Sequence, residues 1–140
     1  MKKISVLIPH YNDERIIHCL NEINKTSFRV NLNLIIQDSM SDPKIVEEIK
    51  LRLKKEDKLL INKDKGIFDA LNILLDNVDT EFFTWIGCDD IINESYNYNE
   101  IINLFNDGCH IIQSNVVYFE NDITSVTRRI TSYNNNFFKY

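Results

Sequence analysis

Asp89 and Asp90 stand side by side behind the aromatic run 82–86 (Phe-Phe-Thr-Trp-Ile) and ahead of the apolar pair Ile91-Ile92. Neighbouring carboxylates at the end of a strand repel each other unless positive charge sits between or beside them. A divalent cation is the common solution. Magnesium and manganese take oxygen ligands and complete their shells with substrate phosphates. An Asp-rich turn that caps the next helix accounts for the same pair. Cys88 beside it is one soft thiol among hard carboxylates, which suits no common metal site and reads as packing.

Three other groups of residues carry chemical potential. Asp38 and Asp42 flank Ser39-Met40-Ser41. A carboxylate at Asp38 can accept hydrogen bonds from a nucleobase imide or a ribose, whereas Asp42 ahead of Pro43 reads as a helix N-cap. Tyr11 and Asn12 follow Pro9, and a ring placed there can stack on a base for ~1–3 kcal/mol. His10 is a weaker signal than Tyr11, and His18 and His110 read as structural. In the segment 64–72 (Asp-Lys-Gly-Ile-Phe-Asp-Ala-Leu-Asn), Asp69 and Asn72 fall on one helix face. Asp64 and Lys65 precede that helix, whose N-terminus attracts anions. By composition alone, a solvated polar face is the better account of this segment.

The elements that must position these residues follow from periodicity. Residues 4–8, 32–37, 59–61 and 82–86 are short β-rich runs. Between them, Ile16, Ile17, Leu20 and Ile23 form one helical stripe, and Ile45, Val46, Ile49 and Leu53 a second. Ile67, Leu71, Leu74, Leu75 and Val78 form a third. A short helix is expected over 99–106, stopped near Gly108, then strands over 111–119 and 123–130, paired around Glu120-Asn121-Asp122 and continuing the sheet. The β-α alternation predicts an α/β fold, a mainly parallel sheet with helices on both faces. Sites in such sheets lie beyond the C-terminal strand ends, where the clusters 9–13, 37–42 and 87–90 converge. One domain over 1–140 is expected.

Composition narrows the partners. A net charge of −5 over 140 residues argues against nucleic acid, which demands a basic face. A diphosphate ligand would need a metal, helix N-termini or a few placed cations. Cys19, Cys88 and Cys109 are odd in number and unpaired in spacing, as expected of thiols in a reducing compartment. The apolar run 4–8 ends at Pro9, too short for a secretory signal, and nothing approaches the ~18 apolar residues of a membrane span. The expected location is the cytoplasm or the inner face of the membrane.

Taken together and in order, these segments resemble glycosyltransferase family 2. Residues 4–12 are similar to its opening strand and Pro-x-Tyr-Asn turn. Residues 35–42 resemble its second-strand motif, in which an Asp precedes small residues and a second Asp. Residues 64–72 resemble the Asp-x-Gly-Ile-Tyr-Asp-Ala-x-Asn segment of a subgroup common among bacterial surface-polysaccharide transferases. Residues 85–90 resemble the metal-binding Asp-x-Asp region.

The resemblance implies a GT-A fold and inverting transfer of a sugar from a nucleotide-sugar, with UDP as the expected carrier, to a saccharide or lipid-linked saccharide. It implies Mn2+ or Mg2+ at Asp89 and Asp90, and a nucleotide-sugar held by Pro9, Tyr11, Asp38, Asp64, Lys65, Asp69, Asn72 and Asp89. This sequence departs from the family in having Gly87 at the usual first Asp, Ser39-Met40 for the usual small pair, and a second motif one residue short. The family's catalytic base falls in the acceptor-binding part, beyond where this chain ends. Glu94, Glu120 and Asp122 are weak candidates for it, and Glu100 is no stronger. The expectation is therefore a donor-binding part that does not transfer sugar efficiently by itself, with an exposed apolar patch that favours self-association. A non-catalytic nucleotide-sugar-binding or protein-interaction α/β module is the rival.

Overall fold

Continuous apolar runs flanked by amphipathic helices suit strands buried on both faces, and the molecule uses them so. The structure, a computed structural model, describes residues 2–93, 97–112, 116–119 and 126–130. It divides into two compact units, Met1–Tyr98 and Asn99–Tyr140. In the first, β1 (Ile4–His10), α1 (Arg15–Lys25), a short 3-10 turn (Arg29–Asn31), β2 (Leu32–Asp38) and α2 (Pro43–Lys50) come first. They are followed by β3 (Lys58–Ile61), α3 (Ile67–Asp76) and β4 (Phe82–Trp85). The four strands are parallel, in the order β3-β2-β1-β4. The chain is thus an α/β protein with a mainly parallel sheet and flanking helices, as the alternation predicts.

The register decides which residues meet at the strand ends. β1 and β2 pair from Ile4↔Leu32 to His10↔Asp38, so a histidine and an aspartate end neighbouring strands side by side. β4 reaches only to Leu7↔Trp85, with one further bond from Ile86 N–H to the Leu7 carbonyl. Pro9, which has no N–H to donate, therefore lies past the end of β4, where β1 has become an edge.

Leu7 and Ile35 pack with Leu74 of α3, and Leu60, Leu71 and Val78 close around them. Val6, Ile8, Leu34 and Ile36 point to the opposite face by the two-residue period and are also fully buried. Both faces of the sheet are covered at β1 and β2, whereas Phe83 and Trp85 of β4 are exposed. α1 and α2 bury Ile16, Cys19, Leu20 and Ile23, and Val46 and Ile49. Asp42 caps α2 by accepting the Lys44 N–H at 2.8 Å, with Pro43 in the first turn, as read from the sequence.

α3 departs from its predicted stripe. Ala70 and Leu74 are its buried residues, while Ile67 and Leu75 are exposed. The small Ala70 lets the helix lie close to the sheet, which rotates the buried face away from Ile67. Burial of Cys19 pushes its thiol up to about 12, so it is an inert packing group.

The second unit holds α4 (Tyr98–Asn106), most of whose length lies there, and β5 (Val116–Phe119) and β6 (Val126–Ile130). β5 and β6 pair with each other, antiparallel, in their own two-stranded sheet. The pairing is the expected one; the expected continuation of the parallel sheet is not seen among the described residues. None of the described helices is long and apolar enough to cross a membrane.

Candidate functional site

The three clusters at the C-terminal strand ends are tied to one another. His10, at the end of β1, is buried, and its Nδ1 lies 2.7 Å from Asp38 Oδ1 at the end of β2. A carboxylate only accepts, so Nδ1 carries the proton and donates. The other nitrogen, Nε2, takes the Asp13 N–H at 3.2 Å. Asp38 Oδ2 accepts the Ser41 N–H at 2.9 Å, and Ser41 Oγ donates to Oδ1. The lacing continues outward: Asn12 N–H donates to Ser41 Oγ at 2.8 Å, and Asn12 Oδ1 accepts the Asp42 N–H at 2.7 Å. Two turns on different strands are thereby fixed as one body.

That fixing holds backbone in costly shapes. Asn12 (φ 47°) and Met40 (φ 62°) are left-handed non-glycine residues. Asn tolerates this region, but Met does so at a cost of roughly 1–2 kcal/mol. The strain at Met40 explains why small residues suit the position.

Beside these turns lies a cavity of about 720 Å³, within the ~300–1,000 Å³ of small-molecule sites. Pro9, His10 and Tyr11 line it from β1, and Ser39 and Met40 from the turn after β2. Lys63, Asp64 and Gly66 close it between β3 and α3, with Ile67 and Ala70 from the helix itself. Tyr11 is 64% exposed and Met40 60%, so both present apolar surface to the opening. Asp64 is held by its neighbours: Oδ1 accepts the Gly66 N–H at 3.1 Å and Oδ2 takes Gln37 Nε2 at 3.3 Å. Gly66, at φ 116°, makes the turn into α3 that a side chain would resist.

The third cluster joins through Arg15, the first residue of α1. Its Nε lies 2.9 Å and its Nη2 2.6 Å from the two Asp13 oxygens, and Nη1 lies 2.9 Å from Asp89 Oδ2. The Arg15 fork holds the Asp13 carboxyl down at about 2, and Asp13 in turn raises Arg15 further. Burial pushes the Cys88 thiol up to about 12, reinforced by the charge of Asp13. Asp90 Oδ2 accepts the Gly87 N–H at 2.7 Å. A Cβ on Gly87 would meet Asp89 Oδ1 at 2.8 Å and Asp90 Oδ2 at 3.1 Å, so both carboxylates bear on one small space that only glycine leaves open.

Comparison with known proteins decides the family. The sequence profile of the family described as Glycosyl transferase family 2 matches residues 5–140. The chain belongs to glycosyltransferase family 2. No curated protein matches it by sequence.

Among solved structures, the mannosyltransferase PcManGT from Pyrobaculum calidifontis, in complex with GDP-Man and Mn2+, is 21% identical with a TM-score of 0.55. The match covers 64% of this chain and 28% of that one. TarS of S. aureus is 24% identical with a TM-score of 0.59, over 80% of this chain and 23% of TarS. TarS 1–349 in complex with UDP is 22% identical at a TM-score of 0.56, over 80% and 38%. The likeness to these structures is one of fold, and this chain spans well under half the length of each.

With the family in place, the residues named from sequence fall into four groups, besides Asp89 and Asp90, which are not on the lining of the cavity. Pro9, Tyr11 and Asp64 line the cavity. Lys65, Asp69 and Asn72 do not, although Asp69 Oδ2 accepts the Lys65 N–H at 2.8 Å and so shapes the start of α3. Asp38 is wholly buried, off the lining, with both oxygens engaged. Glu94, Glu120 and Asp122 lie outside the described residues. His10, Ser41, Lys63 and Arg15 were not singled out from sequence. For His10 a usable signal existed: two adjacent apolar runs paired in parallel from their first residues set it opposite Asp38.

The metal that the family implies can be matched against the residues present. Among the described residues no three His, Cys, Asp or Glu side chains gather as a metal cage. Two convergent carboxylates fit a magnesium or manganese ion that keeps its remaining positions for water and substrate phosphate. The Gly87 cradle makes this testable. Gly87→Ala should leave the melting temperature nearly unchanged, because only flexible carboxylate ends must move. Mn2+ affinity measured by calorimetry should fall about tenfold or more, as when the supports of metal ligands are lost. Unchanged Mn2+ affinity would remove the metal role from this pair.

Proposed function

We propose that this chain supplies the donor site of an inverting glycosyltransferase, hexosyltransferase in type. It would take a UDP-sugar and serve a saccharide or lipid-linked saccharide acceptor in bacterial surface-polysaccharide assembly, in the cytoplasm or against the inner face of the membrane. The observation that carries the reading is the cavity rimmed by Tyr11, Met40 and Ile67, whose His10 is tied through Asp13 and Arg15 to Asp89. Of the similar structures, one is a complex with GDP-Man and Mn2+ and another a complex with UDP.

In this reading Tyr11 stacks on the base, Asp64 and Lys63 offer it an acceptor and a donor, and Pro9 shapes the turn that presents Tyr11. Lys65, Asp69 and Asn72 fix the start of α3 toward ribose and sugar. Asp38 acts behind the site by holding the two turns together. Asp89 and Asp90 would hold the divalent cation, Mn2+ or Mg2+, which neutralises the diphosphate as it leaves. The acceptor oxygen attacks the anomeric carbon, the bond from that carbon to the diphosphate breaks, and the hydroxyl proton passes to a carboxylate base. That base is assigned to none of the described residues.

Calorimetry with UDP and GDP, with manganese or with EDTA, tests the reading. UDP should bind at least about tenfold more tightly with manganese than in EDTA, and Asp90→Asn should remove most of that gain. Equal UDP affinity in EDTA would overturn the metal role, and preference for GDP would overturn the choice of base. Failure to bind any nucleotide would overturn the whole reading.

A further inference from the structure

Arg15 has no place in the mechanism above, yet its guanidinium stands between two parts of the site. One edge grips both oxygens of Asp13, and Nη1 donates to Asp89 Oδ2. The other oxygen of Asp89 faces the Gly87 cradle shared with Asp90. Asp89 is therefore divided: one oxygen belongs to Arg15 and the other to the space a cation would enter. The Arg15 side chain is 66% exposed, so nothing buries it in this pose. The Asp13 grip also fixes where it can go. With Nε and Nη2 anchored on Asp13, Nη1 is held toward Asp89.

A divalent cation at Asp89 and Asp90 would sit within a few ångströms of this guanidinium, and two cations so close repel. A diphosphate relieves the conflict, because its oxygens can accept from Nη1 while also meeting the metal. The fork on Asp13 fixes the direction of the single donor Nη1 offered to the phosphate, which a Lys ammonium would not reproduce. Resting on the donor-site reading above, we infer that Arg15 couples metal to nucleotide. It masks Asp89 against metal alone and becomes a diphosphate ligand once the nucleotide arrives. Metal and nucleotide then each raise the other's affinity by the same factor, as linkage requires.

The experiment is a thermodynamic box on the full chain and on Arg15→Gln and Arg15→Lys. Calorimetry measures Mn2+ alone, UDP alone, UDP in saturating Mn2+, and uridine, and thermal melting checks each fold. In the unaltered chain, saturating UDP should tighten Mn2+ at least about tenfold. In Arg15→Gln, Mn2+ alone should bind several-fold more tightly, UDP with Mn2+ about tenfold more weakly, and uridine unchanged. Arg15→Lys keeps the charge without the fork and should fall between.

The inference is overturned if Arg15→Gln leaves both Mn2+ affinity and the UDP–Mn2+ coupling as they were. It is equally overturned if Mn2+ alone binds the variant more weakly, since Arg15 would then support Asp89 instead of masking it. Either result leaves the donor-site reading standing if the unaltered chain still binds UDP with metal. Absence of UDP binding in the unaltered chain sinks the donor-site reading, and this inference with it.

Discussion

Asp38→Ala is expected to lower the free energy of unfolding by about 3–5 kcal/mol, the scale of leaving three buried donors unsatisfied at ~1–3 kcal/mol each. The carboxylate is wholly buried and serves three donors: His10 Nδ1, the Ser41 N–H and Ser41 Oγ. Alanine leaves all three without their acceptor in a place water does not reach. A loss of that size is a large part of the ~5–15 kcal/mol that holds a domain together. Urea denaturation reads it directly.

Asp38→Asn separates support from ligand contact. Its oxygen can still accept, but its NH2 opposes one of the donors, so a smaller loss is expected together with weakened UDP binding in proportion. A variant with unchanged stability and no UDP affinity would mean that Asp38 touches the nucleotide itself.

Asp57→Ala should be as costly to the fold while sparing the crevice. Arg29 is buried, with Nε on Asn24 Oδ1 at 2.8 Å, Nη1 on the Leu32 carbonyl at 2.9 Å, and Nη2 on Asp57. Asp57 also accepts the Leu34 N–H at 2.9 Å and the Lys54 N–H at 2.7 Å. Removing the carboxylate strands a buried guanidinium and should cost roughly 3–5 kcal/mol. Replacing both, as Arg29→Met with Asp57→Leu, should recover most of that loss, because the charge and its partner disappear together. Nucleotide affinity of whatever fraction is folded should not change, since neither residue reaches the strand-end turns. Recovery below about 1 kcal/mol in the double variant would show that the backbone bonds of Asp57 matter more than the pair.

Much of this architecture was legible because it is written in short-range pattern. The runs 4–8 and 32–37 are too apolar and too short to be anything but buried strands, and Asp42-Pro43 announces a helix start. The strand-end clusters followed from chain order. His10 was legible only through register, since pairing the runs from Ile4 and Leu32 sets it opposite Asp38. Arg15 was not legible, because a surface arginine at a helix start has no signature until Asp89 is placed beside it. On α3, counting large apolar residues made Ile67 look buried, since Ala70 contributes little to that pattern while packing closest. Asp38 shows the opposite limit: motif resemblance named it as a nucleotide contact, and only its three partners reveal that it faces inward.

The strand order also sets which part of the crevice is hardest to close. The bond between His10 and Asp38 joins residues 28 apart in the chain, whereas that between Arg15 and Asp89 joins residues 74 apart. Loop closure costs more over the longer span, and β4, the shortest-paired neighbour of β1, lies at the edge of its sheet with its side chains only half covered. The His10–Asp38 wall is thus tied across the shorter span and between strands paired along their whole length. The acidic wall is borrowed from far along the chain and held by an edge, so ligands that bridge the two walls also act as clamps on the fold.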